Sequence, residues 1–149
     1  MPDTHRPARY VADLTRPEAR LVSMLRHWRM GPEAQEQVWA DLAAALGPPR
    51  ARACLSAFET FAAHLARSAW LPPALNAPGA ETLTDDEDAI CRIVTAASEG
   101  QREDALLHAS FLVRPETLLP LVHAAERTGL PLLCAECRAR LTVCRRLSN

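Results

Sequence analysis

Three cysteines near the C-terminus carry the strongest hint of chemistry in the sequence. Cys134, Cys137 and Cys144, with Leu141, fall at i, i+3, i+7 and i+10, which puts all four on one face of a helix. Zinc takes thiolates and imidazoles in tetrahedral sites. Cys134-Ala135-Glu136-Cys137 is a CxxC, with Cys144 as the candidate third ligand and His123 as the fourth. The same CxxC would be a redox dithiol if Cys134 opened a helix, where the dipole lowers a thiol pKa. Two features weigh against both uses. No second close cysteine pair completes a zinc set, and Pro131 starts the helix ahead of Cys134. Free cysteine is among the most buried residue types, so the expectation is three small apolar members of a core.

The stretch Ala124-Ala125-Glu126-Arg127-Thr128-Gly129-Leu130 resembles the first helix and turn of a helix-turn-helix DNA-binding motif. The resemblance implies a motif over residues 118–146. Its second helix would follow Gly129, with Arg138, Arg140, Arg145 and Arg146 as phosphate partners. Recognition helices of that family open on polar residues that reach base edges. Here the corresponding residues are Leu132, Leu133 and Cys134, and Arg138 stands where the pattern has an apolar residue. A plain helical hairpin with arginines near its C-terminus, favoured there by the helix dipole, reads the same residues without DNA.

Other chemistry is sparse. Glu81, Asp85, Asp86, Glu87 and Asp88 cluster without calcium-loop spacing, and three of them fall in a helix's first turn, where negative charge is stabilising. Asp104 and His108 are four apart, close enough on a helix for a general-base pair or for an ordinary surface contact. No phosphate loop, nucleophile elbow or metalloprotease signature occurs, so the expected role is non-enzymatic. Trp28 is flanked by Arg26 and Arg29, and the three could rim a groove of the kind proteins use to bind one another.

The elements that position these residues are all helical. The chain has 27 Ala and 21 Leu against 7 Val and 2 Ile, and strands favour the residues it lacks. Thr15–Glu18 and Thr84–Glu87 have capping-box spacing, and Gly31, Gly47, Gly100 and Gly129 read as helix stops. These signals predict an all-α, single-domain bundle of six to seven helices in two packed halves. A flexible arm covers 1–14 and three helices cover 15–70. A Pro-rich linker occupies 71–83, and four helices cover 84–149, with breaks near 100, 113 and 130. The helix near 50–70, apolar around most of its girth, is expected at the centre.

Net charge is −1, with +2 on residues 1–70 and −3 on 71–149, so no global field draws in nucleic acid or anionic membrane. All 17 basic residues are Arg. The N-terminus has no apolar stretch of signal-peptide type, and no run is long enough to span a bilayer. An odd cysteine count without a framework spacing points to free thiols in a reducing cytoplasm. The expected role is an accessory or regulatory protein that works through protein contacts, with a homodimer as one form.

Overall fold

Both capping boxes form as their residues dictate. In the computed structural model, which describes residues 7–148, the Glu18 backbone N–H donates to Thr15 Oγ1 while Glu18 Oε1 accepts from the Thr15 N–H. The Thr84–Glu87 box repeats this, with 3.0 and 2.9 Å bonds. These boxes open α1 (Arg16–Trp28) and α4 (Asp85–Ser98). Gly31 and Gly47 have φ of +111° and +84°, values that cost a residue with a Cβ dearly. They let α2 (Pro32–Leu46) and α3 (Pro48–Ser68) follow in tight succession, each opened by a proline whose missing N–H costs nothing in a first turn. α5 (Arg102–Ser110) is short, and α6 (Leu118–Leu147) is the longest element. Among the described residues there are six α-helices and no strand.

The fold is an all-α bundle, as the composition predicts. Its largest interface joins α3 to α6, and α4 packs on α5 and α6. Phe58, Phe61 and Cys54 of α3 are fully buried, and Trp28 meets Phe58 edge-on with centroids 5.7 Å apart. Two isolated bridges, Tyr10–Thr82 and Ala69–Val113, tie loops together.

Three expectations are corrected. The residues after position 114 form one helix rather than two, so 84–148 holds three α-helices. A stop at Gly129 would need the left-handed backbone that Gly31, Gly47 and Gly100 adopt, and Gly129 does not adopt it. It lies instead inside α6 where α4 approaches closely. Pro131, read as a helix start, falls two residues later within the same unbroken helix.

The N-terminal arm is likewise anchored from residue 9 onward. Arg9 O accepts from Leu83 N–H at 2.9 Å, and Val11 N–H donates to Glu81 O at 2.7 Å. The Arg9 guanidinium bridges Asp88 (2.8 Å) and Glu18 (3.2 Å), and Arg92 also binds Asp88. The part of the arm at residues 1–6 lies outside the described residues.

Arg26 is the third correction. It does not rim a groove beside Trp28 but is 2% exposed and faces Glu87, which is 0% exposed. Arg26 Nε donates to Glu87 Oε2 at 2.6 Å, and its terminal nitrogens reach Ala80 O, Thr82 O and Glu87 Oε1. One guanidinium thus fixes α1, the Pro-rich segment and the first turn of α4 together. Every donor it uses meets an acceptor, which a buried charge requires.

Candidate functional site

α6 buries Leu121, Ala125, Thr128 and Leu132 against α3 and α4. Cys134, Cys137, Leu141 and Cys144 share a face, as their spacing predicts, but it is the opposite face. All three thiols are exposed, so the expectation that they fill a core is overturned. The core stripe comes from residues N-terminal to them, and the bundle ends before the stripe does.

From residue 137 to 148 every side chain of α6 is exposed. Arg138, Ala139 and Thr142 still border Leu46 and Arg50, and the end of the helix beyond them projects past its neighbours. Leu141, Val143 and Leu147 are 60%, 55% and 82% exposed. Cys54 and Cys91, by contrast, are buried, and burial pushes both thiols up to about 12. A thiol-reactive dye is therefore expected to label three cysteines rapidly in the native protein and five in denaturant. Labelling of Cys54 or Cys91 at the rate of the other three would contradict the packing.

The proposed zinc ligands are not brought together. At the rise of a helix, Cys144 lies about 15 Å along the axis from Cys134, and His123 about 16 Å the other way. His123 is also exposed. No group of three His, Cys, Asp or Glu among the described residues could hold a metal ion. Only Cys134 and Cys137 are neighbours, one turn apart.

The helix-turn-helix reading fares similarly. With 118–147 a single helix, no turn sets a second helix at an angle to the first, and Leu132 is buried. Arg138 and Arg145 lie on one flank of the exposed cysteine face, Arg140 on the other and Arg146 behind. Arg140 pairs with Glu136 at 3.3 Å. The four arginines ring the helix and make no single basic face.

Asp104 and His108 border a shallow hollow shared with Arg9, Glu18 and Arg92. A larger hollow between α1 and α2 is lined by both apolar and polar side chains. Two pairs of its polar groups bond each other, His27 Nδ1 with Ser23 O at 2.8 Å and Gln37 with Asp41 at 2.9 Å.

Sequence reasoning missed a groove of about 160 Å³ between α1, α4 and α6. Pro17, Leu21, Val94 and Leu133 make it apolar, and Glu18, Glu99, Glu136 and Arg140 stand around it. It adjoins the base of the projecting end of α6. Nothing local in the sequence marks it, because its walls come from three helices far apart in the chain. No helix among the described residues is long and apolar enough to cross a membrane. Compared with protein-family models, curated proteins and solved structures, the chain shows no significant match.

Proposed function

We infer that this chain is a non-enzymatic protein-contact module, a helical body that presents the distal half of its last helix to another protein chain. One observation carries the reading. Leu141, Val143 and Leu147 stand exposed on a projecting helix end, with an apolar groove at its base. Single exposed leucines are ordinary, but apolar residues concentrated on one unpacked element mark an interaction site. Arginine, which the same segment carries four times, is enriched at protein interfaces, where lysine is depleted. An accessory or regulatory role fits such a module, and five free thiols fit a reducing cytoplasm.

The test is photo-cross-linking in cells that make the protein. A photoreactive residue at position 143 or 147 should give discrete protein adducts, and one at the exposed Glu59 position of α3 should not. Absence of adducts from both α6 positions would overturn the reading.

A further inference from the structure

The face of α6 that continues the groove has a regular pattern. Leu133, Glu136, Arg140, Val143 and Leu147 follow one another at spacings of 3, 4, 3 and 4. That is the spacing of a two-helix coiled-coil seam, with apolar Leu133, Val143 and Leu147 around a charged centre of Glu136 and Arg140. Leu133, Glu136 and Arg140 line the groove, and Val143 and Leu147 are exposed beyond it. Among the described residues, Val143 and Leu147 stay 55% and 82% exposed.

The pattern is also palindromic in chemistry. Laid antiparallel about a two-fold axis near residue 138, the seam of one copy meets the other as Leu133 against Val143 and Glu136 against Arg140, with Leu147 entering the groove beyond. Apolar meets apolar, and the charged layers are opposite in sign. Laid parallel, the same seam sets Glu136 on Glu136 and Arg140 on Arg140, and like charges facing each other at a contact are costly. We propose that the occupant of the groove and of the projecting helix is a second copy of this chain, joined by an antiparallel α6–α6 seam. The projecting Val143 and Leu147 of each copy enter the groove of the other. The contact is isologous, so it closes at two copies. This proposal rests on the protein-contact reading and names its partner.

Within each chain Glu136 and Arg140 make a 3.3 Å pair, with Arg140 mostly exposed. In the dimer the two chains' pairs merge into a four-charge cluster across the axis, so charge reversal tests the register directly. Wild-type protein should run at twice 16.4 kDa in light scattering after sizing. Glu136→Arg makes the charged layer all basic, and Arg140→Glu makes it all acidic. Each should weaken self-association by about tenfold or more. An equimolar mixture of the two should restore a species of twice 16.4 kDa, and the double variant should dimerise alone.

Both sites lie outside the buried core, and unchanged helical circular dichroism will show that the variants fold. Leu147→Asp, at a position 82% exposed in the single chain, gives a second, independent disruption. A monomeric wild type at every concentration overturns the proposal, as do single variants that dimerise like the wild type. In the first case, photo-adducts to a different protein would leave the protein-contact reading standing, and no adducts at all would remove both.

Discussion

Glu87→Ala is expected to lower the unfolding free energy by about 3–5 kcal/mol, the range for removing one partner of a buried ion pair. The substitution leaves the Arg26 guanidinium 2% exposed with its closest counter-charge gone. Two of its bonds, to Ala80 O and Thr82 O, survive, but neutral carbonyls do not balance a charge removed from water. Glu87 also accepts from the Thr84 N–H, so the variant loses half of a capping box. Urea unfolding of wild type and variant measures the difference. A loss below about 1 kcal/mol would place this pair with exposed salt bridges.

The same carboxylate predicts the acid limit of the fold. Burial pushes the Glu87 pKa up, but the hydrogen bonds from Arg26 and Thr84 outweigh it, and the net shift is downward. Asp88 behaves alike, with burial outweighed by Arg9 and Arg92. A carboxylate whose folded pKa lies below its unfolded one stabilises fully above the unfolded value. That contribution disappears as pH falls through the folded value. The urea midpoint should therefore hold steady down to roughly pH 5, then fall below about pH 4, where unfolded carboxyls begin to bind protons first. In Glu87→Ala the fall should be shallower.

Gly129→Ala is the second large effect. Alanine is ordinarily favoured over glycine inside a helix by about 1 kcal/mol. Here a Cβ would overlap Ser98 Oγ and stand 2.8 Å from Val94 Cγ1 and 3.2 Å from Ser98 Cβ. The Ser98 hydroxyl is held by Val94 O at 2.6 Å, and both residues sit on α4 against the helix backbone. Relief requires α4 and α6 to separate, and such overpacking costs about 1–3 kcal/mol. The net expectation is a loss of up to about 2 kcal/mol once the helix-propensity gain is subtracted. Ser98→Ala in the same chain should recover part of it. A stabilised Gly129→Ala would show that the two helices are not in contact there.

The local signals in the sequence were legible because local chemistry decides them. Thr15, Thr84, Gly31 and Gly47 each settle a helix end through their own side chain or backbone freedom. Gly129 misled because one residue type serves two needs, a left-handed turn or a close helix approach, and only the neighbouring helix distinguishes them. The face shared by Cys134, Cys137 and Cys144 was legible from spacing. Which way it points was not, because that depends on where the bundle ends. Arg26 and Glu87 lie 61 positions apart, and each by itself reads as a solvated charge. The groove is hidden for the same reason.

The grip of Arg26 on the segment between the two halves has a consequence for how that segment tolerates change. Its guanidinium reads only main-chain oxygens at Ala80 and Thr82, and these are present whatever side chain stands there. The clasp is indifferent to spelling at those two positions and demands only that the chain pass at the right distance. Insertions or deletions between Leu71 and Leu83 should therefore harm this protein far more than substitutions do.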